Sequence, residues 1–472
     1  MKRVAIIGGG IAGLSAAYYL EQARQRGADL EWTLFEKSDR LGGVILTEHR
    51  NGFVLEAGPD SFLTIKPEGA QLCRDLGIAD QLISSNDAGR KTYIVVKGRM
   101  VPIPDGLEFM VPTRIWPMAR TPLFSFGTKL RMAREMLLSP GSGAGDEPVA
   151  DFVRRHFGDE MVERVAEPLL AGVYGGDAAT MSVRAVLPRF AEMEREHGSL
   201  VRATLRARKQ RARSQSSAGA QPQPLFTSLK LGMQQMVDAV VAALPASRLR
   251  LGHPISALRP AGGEWQVEST AATAGENFHE VLLAVPATAS AHLLRPICPE
   301  LAANLDAITY TSSAAVALAY DRVDLPPGFG FLVPRSEGRK MLACTFVHQK
   351  FPHRAPEGSA LLRCFFSSSR ARGLLAYSDP ALFDLAQQEL TEIMGLKARP
   401  RFARVFRWAC ALPQYATGHL DRVEVMEESL AGLSGLQIIG NSFYGIGIPD
   451  CIRSGKKAAS AITSAVLQPA AV

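Results

Sequence analysis

The chain offers almost nothing for a disulfide framework or a metal cage. Its six cysteines (Cys73, Cys298, Cys344, Cys364, Cys410 and Cys451) are scattered over 472 residues with no C-x-x-C pair. None of its nine histidines stands at metal-ligand spacing. Free thiols, a reducing compartment and no metal are therefore expected. Long apolar runs are missing too. The longest uncharged stretch, 429–449, holds five glycines together with Asn441 and Gln437, which is poor material for a membrane-spanning helix. The fold starts at "VAIIGGG", leaving no room for the charged and apolar regions of a secretory signal. A cytoplasmic protein is expected, with peripheral attachment to the inner face of the membrane as a further option. There is no nucleophile elbow either: after Gly440-Asn441-Ser442 the next glycine is Gly445.

What is present begins with charge. The net charge is +7. Between Arg90 and Arg134 nine basic residues face only Asp105 and Glu108, and a second basic run, "RATLRARKQRAR" from Arg202, leads into the low-complexity "SQSSAGAQPQP". One reading of that second run is a solvated face with a flexible linker over 206–224; the other is attraction to a carboxylated substrate or an acidic membrane surface. No nucleic-acid motif accompanies the charge, so no nucleic-acid partner is expected.

The chemistry-bearing pattern lies in the first sixty residues. "RVAIIGGGIAGLSAAYYLEQAR" reads as strand, glycine turn and amphipathic helix, and "LEWTLFEK" as a second strand ending in Glu36 and Lys37. Gly8, Gly10 and Gly13 form G-x-G-x-x-G between strand and helix, with Ile11 and Ala12 opening the helix. Gly8 makes the tight turn, Gly10 lets backbone approach a pyrophosphate, and Gly13 lets the helix pack. The helix N-terminus faces the phosphate charge, and Glu36 is placed to bind a ribose hydroxyl. That acid argues against an NADP phosphate, and no second well-placed G-x-G-x-x-G offers a nicotinamide site.

Arg40, Gly42 and Gly43 follow in "EKSDRLGGVILTE", then Glu56, Gly58 and Pro59 in "FVLEAGPDSF". This order resembles the flavin amine oxidase superfamily, where both segments contact FAD. The resemblance implies an α/β fold with α+β insertions: a Rossmann-like FAD-binding domain interleaved with a sheet-based substrate domain and a helical domain. "LRLGHPISAL" and "HEVLLAVPA" look like its returning segments, with Ile255 flanking the adenine. "GNSFYGIGIPDCI" supplies the last part, a helix entrance that would face the flavin ring through Gly440, Gly447, Ile448 and Pro449. The expected order is FAD-binding segments at 1–65, 225–290 and 421–472, substrate-domain segments at 66–94 and 291–420, and a helical, membrane-associated domain at 95–205.

In the middle, "GTKLRMAREMLLS", "VADFVRRHFGDEMVERVAEPLLAGVYGG" and "AEMEREHGSLVRATLRARKQ" have helical periodicity. "ERVAEPLLAGVYGGD", "GPDSFL", "EREHGSL", "RWACALPQYATGHLDRV" and "GIGIPDCI" together resemble the oxygen-dependent porphyrinogen oxidases of haem synthesis along nearly the whole chain. The resemblance implies FAD-dependent six-electron oxidation of a porphyrinogen with molecular oxygen as acceptor and peroxide as by-product. A ferrochelatase-type enzyme downstream would be a partner. "GPDSFLTIKP", "KTYIVVKGRMVPIP" and "PHRAPEGSALLR" are closer to the coproporphyrin-forming branch, while "ARVFRWACALPQY" and "EREHGSL" also occur in protoporphyrinogen-type members. An amine oxidase or a carotenoid-type desaturase with the same cofactor site is a remoter alternative. Lys66, Arg90 and Lys91 are candidates to meet substrate carboxylates, and Phe331, Leu332 and Phe346 to wall an apolar slot. No side chain is assigned as catalytic, because the flavin would carry the chemistry.

Overall fold

The opening apolar run, Lys2–Ile7, is the middle strand of a five-stranded parallel sheet. Leu30–Phe35 and Leu249–Arg250 flank it on one side, Glu280–Leu283 and Leu436–Ile438 on the other. Val4, Ala5 and Ile6 are fully buried because both faces of the sheet are covered, one by helices and the other largely by the antiparallel sheet Ile255–Ala261, Glu264–Ser269 and Glu276–Phe278. The sheet draws on three distant stretches of chain, so the nucleotide domain is assembled from segments as the resemblance implied. The computed structural model describes residues 1–140, 145–216 and 223–467.

The first helix (Ile11–Gln25) and the final one (Ile448–Leu467) lie against each other on this sheet. Their contact depends on Gly455. A Cβ there would stand 2.3 Å from the carbonyl oxygen of Ala12 and 2.9 Å from the amide of Ala16, so only hydrogen fits.

A second, seven-stranded sheet runs in the order Phe402–Pro413, Tyr310–Tyr320, Ala360–Ser367, Met341–Phe346, Gly330–Leu332, Thr92–Val96, Arg99–Pro102. All its pairings are antiparallel except that of Gly330–Leu332 with Thr92–Val96. The hairpin closing at Pro102 carries this sheet past the boundary expected at residue 94. One face is sealed by the helix Asp379–Met394, through Leu382, Ala386 and Leu390. The other face looks toward the helical insertion.

That insertion has its own core, including Phe152, Val153, Phe157, Met161 and Val165. The helix expected from Ala191 through Gln210 is broken in two, Pro188–His197 and Leu200–Ser216. Gly198 causes the break: its φ is +71°, and a Cβ there would stand 2.2 Å from the backbone of Ser139. The buried carboxylate of Glu135 starts the second helix, accepting the Ser199 hydroxyl (2.7 Å) and the Leu200 N–H (2.6 Å). The linker expected over 206–224 is helical up to Ser216, because the basic run continues that helix; residues 217–222 lie outside the described residues. No helix among the described residues is long and apolar enough to cross a membrane.

Candidate active site

Strand, glycine turn and helix follow one another as the spacing predicts. A Cβ on Gly8 would stand 2.5 Å from the Ala284 carbonyl oxygen, and one on Gly13 2.0 Å from the Gly8 oxygen, so both glycines serve the fold itself. Gly10 differs: nothing lies within 4 Å of where its Cβ would be. The first helix also lacks a capping side chain and any acid in its first turn. Its N–H groups therefore open onto free space where an anion fits.

Glu36 stands beside this turn, accepting the Gly9 N–H at 2.7 Å and the Ser38 N–H at 2.9 Å. The Glu36 main chain bonds to Arg250 and His253, which carries Ile255 to the same edge of the domain. Lys37 is exposed beside it. The Gly42–Gly43 loop is pinned by the Gly42 N–H donating to Gly9 (2.8 Å). The Arg40 guanidinium donates to the carbonyls of Leu41, Gly43 and Ile45, which shapes this loop.

Next comes the 56–61 segment, locked from the seven-stranded sheet. Glu56 is buried and paired with Arg354 at 3.0 Å, facing the core. Arg363 donates to the carbonyls of Gly58 (2.5 Å) and Ala57 (3.1 Å), and Lys350 holds Asp60 at 3.0 Å. Burial pushes the Asp60 carboxyl up, but Lys350 and Arg363 outweigh it and keep the group well below the usual carboxylate range. A Cβ on Gly58 would stand 1.8 Å from the Val44 oxygen, which explains that glycine beside Pro59.

At the far end, Gly440–Gly447 leads into the final helix at Ile448 and Pro449. Three rings fix this loop. Tyr415 donates its hydroxyl to the Asn441 carbonyl (2.6 Å) and accepts the Gly445 N–H (2.9 Å). His419, stacked on Tyr415 with ring centroids 4.1 Å apart, donates from Nε2 to the Phe443 carbonyl (3.0 Å). Burial lowers the His419 pKa, which suits this neutral role. Tyr310 meets the Ser442 hydroxyl at 3.1 Å. Sequence reading left Tyr310 and Tyr415 without a role, and Tyr415 precedes the helix His419–Ala431, so no helical spacing announces the pair.

Lys66 reaches this same helix entrance. Its ammonium lies 2.6 Å from Asp450, a buried first-turn carboxylate that also pairs with Arg453 and accepts the Gly447 N–H. Arg453 pairs in turn with Glu68 (2.9 Å). Two cations and two anions balance, leaving the helix dipole as the net positive contribution there. Arg90 and Lys91, by contrast, sit exposed ahead of Thr92–Val96, and no ion pair or hydrogen bond among the described residues ties their side chains to the flavin-side segments.

Strand alternation sorts the three apolar candidates. Phe331 and Phe346 are buried in the core under Asp379–Met394, their rings 6.2 Å apart, which removes them as slot walls. Leu332 points the other way. With Ala343 and Phe365 it packs against Ala171, and its Cδ2 lies 3.6 Å from where a Gly172 Cβ would stand. Thr345 shares that face, and Leu332, Thr345 and Phe365 are only half-buried. The half-open wall therefore comprises Leu332, Ala343, Thr345 and Phe365, opposite the helix Glu167–Tyr174.

Glycine cradle, ribose acid, clamped C-terminal loop and helix dipole together fit an FAD molecule extended between the two ends of the chain. The sequence matches the family described as flavin containing amine oxidoreductase over residues 11–463, and the chain belongs to that family. It is an FAD-dependent oxidoreductase. Within the family it is 35% identical over 464 residues to the coproporphyrinogen III oxidase of Bacillus subtilis (strain 168), covering 97% of each chain. A solved structure from Exiguobacterium sp. 255-15, carrying a provisional protoporphyrinogen oxidase name, superposes with a TM-score of 0.85 at 32% identity, covering 98% of this chain and 99% of that one. Protoporphyrinogen oxidase 1 of Arabidopsis thaliana chloroplasts is 28% identical, covering 96% of this chain and 86% of its own.

Proposed function

We propose that this protein oxidises coproporphyrinogen III to coproporphyrin III in haem biosynthesis. The reading rests on one observation above all: the similarity to the Bacillus subtilis coproporphyrinogen III oxidase runs through nearly the whole of both chains. The reaction removes six electrons and six protons from the macrocycle; three molecules of oxygen accept them and leave as three of hydrogen peroxide. FAD, when bound, supplies the two-electron acceptor that the side chains lack.

The protein's own part is to bind, orient and exclude water. A flat macrocycle suits the half-open face that presents Leu332, Thr345 and Phe365, one end of which is closed where Leu332 meets the helix at Ala171 and Gly172. Lys66 uses one ammonium donor on Asp450, leaving two for a propionate. Arg90 and Lys91 would extend the cationic rim if the substrate reaches them. The Tyr415–His419 pair holds the glycine loop in one conformation, so the helix entrance is formed before substrate arrives. Stabilisation of charge then requires no reorganisation at that point. The product would pass to a metal-inserting enzyme of the ferrochelatase type.

Protoporphyrinogen IX oxidation is the second reading, favoured by the Arabidopsis relative. Turnover of the two porphyrinogens, followed side by side by porphyrin fluorescence and peroxide release, separates them. Faster turnover of coproporphyrinogen III supports the first reading. Preference for protoporphyrinogen IX, or turnover of neither, overturns it.

A further inference from the structure

The helix Glu167–Tyr174 ends where the two halves of the site meet. Ala171 packs on the wall with Ala343, and Leu332 comes up to Gly172. Tyr174 follows three residues after Ala171, which puts it on the same side of the helix. It edges the core of the insertion together with Leu332 of the wall and Ile446 of the glycine loop. Its ring lies 6.3 Å from that of Tyr415, which clamps that loop.

The main chain here is held from the seven-stranded sheet and the segment after it. The Tyr174 carbonyl accepts the Gln414 side-chain amide at 2.9 Å, and the Gly175 carbonyl accepts the hydroxyls of Ser367 and Ser369, each at 2.8 Å. The side-chain hydroxyl is treated differently. Tyr174 is half-buried, yet its phenol makes no hydrogen bond among the described residues. A phenol inside a protein ordinarily finds a partner, as those of Tyr18, Tyr310, Tyr320 and Tyr415 do. Burial pushes the Tyr174 phenol up to about 12, and the Asp450 carboxylate adds to the effect, so the group is a neutral hydroxyl at ordinary pH.

Packing accounts for the ring but not for the oxygen, since phenylalanine would fill the same space. A free hydroxyl beside the wall suits a ligand that brings its own polar atoms to an apolar surface. A porphyrinogen does so at its centre. It presents pyrrole N–H donors, and as electrons leave some of those nitrogens lose their proton and become acceptors. A hydroxyl accepts from the first form and donates to the second, which neither an ammonium nor an ionised carboxylate can do.

We propose that the Tyr174 hydroxyl orients the macrocycle by hydrogen-bonding its pyrrole nitrogens beside the helix entrance. This rests on the porphyrinogen reading above and assigns a residue to the ring itself, where Lys66 addresses the carboxylates. Tyr174 forms and breaks no covalent bond in this role.

The test is Tyr174→Phe in the FAD-loaded protein, which removes one oxygen and keeps the ring. That oxygen bonds nothing within the described residues, so FAD content, flavin absorbance and thermal midpoint should match the parent. KM for coproporphyrinogen III should rise about three- to tenfold, as loss of one hydrogen bond implies, with kcat changed less. The affinities for coproporphyrin III and protoporphyrin IX, followed by quenching of their fluorescence, should fall by a common factor, because the two share the pyrrole nitrogens and differ in their carboxylates. A loss confined to coproporphyrin would move the hydroxyl to a propionate and overturn the proposal. A lowered thermal midpoint or lost FAD would assign the hydroxyl to the fold and overturn it too. A parent protein that turns over neither porphyrinogen removes the functional reading and this proposal with it, whereas an active parent whose KM and affinities Tyr174→Phe reproduces removes this proposal alone.

Discussion

A methyl group at position 10 should separate what this glycine does for FAD from what its neighbours do for the fold. The backbone at Gly10 is extended, with φ −71° and ψ 175°, which alanine adopts freely, and the added Cβ meets no atom within 4 Å. In the FAD-free protein, Gly10→Ala should therefore change stability by no more than about 1 kcal/mol, since losing a serviceable N-cap glycine and stiffening the unfolded chain roughly offset. For a chain of this size that is a thermal shift of roughly 2 °C or less. With FAD bound, the same methyl projects into the space where pyrophosphate must approach. Overpacking of that kind costs about 1–3 kcal/mol, or roughly fivefold to 150-fold in affinity. Gly13→Ala is the contrast: its Cβ would stand 2.0 Å from the Gly8 oxygen, so the strand–turn–helix unit must distort with or without cofactor. The assay is FAD titration of the apoprotein by flavin fluorescence, with thermal midpoints of both forms. Gly10→Ala binding FAD like the parent would refute the reasoning. An apoprotein as destabilised as Gly13→Ala would refute it equally.

Tyr415→Phe should loosen FAD retention by about 1–3 kcal/mol, because the Gly445 N–H and Asn441 carbonyl both lose their partner; unchanged retention would show that the loop holds without the ring clamp. Burial lowers the pKa of His156, but hydrogen bonds to Glu135 and Glu194 outweigh it and leave the folded-state value raised above about 6.5. Its stabilising contribution is then fully present below that pH and fades as pH rises through the folded value, so His156→Gln should lose most stability in acid and least in alkali. A stability difference that is flat, or that grows, between about pH 5.5 and pH 8 contradicts this. Phe331→Ala should cost about 3–5 kcal/mol of stability as a core cavity, whereas Leu332→Ala should mainly raise KM; the reverse pattern in melting and kinetics would exchange the two faces of the sheet. Lys66→Met should lower kcat/KM for coproporphyrinogen by about tenfold and for protoporphyrinogen by less, and equal losses would confine Lys66 to supporting Asp450.

The nucleotide half of the site was legible because its determinants are local. A strand, a tight turn and a helix start must follow one another in sequence, so Gly8, Gly10, Gly13 and Glu36 carry their spacing openly. The glycines of 440–447 were readable for the same reason, lying directly ahead of their helix. What holds that loop was not readable. Tyr310, Tyr415 and His419 lie up to 132 residues from the groups they bond, and nothing in their own neighbourhoods marks them as loop clamps. Phe331 and Leu332 show the limit at its narrowest: adjacent, both apolar, one sealed under a helix and the other on the half-open wall. Pleating sends successive side chains to opposite faces, but which face is core depends on what packs there, and Asp379–Met394 decides it. Lys66 is the same case in charge. Its sequence position beside the flavin-side segment was informative, yet its partner, Asp450, lies 384 residues away and was brought there only by the first and final helices closing on Gly455.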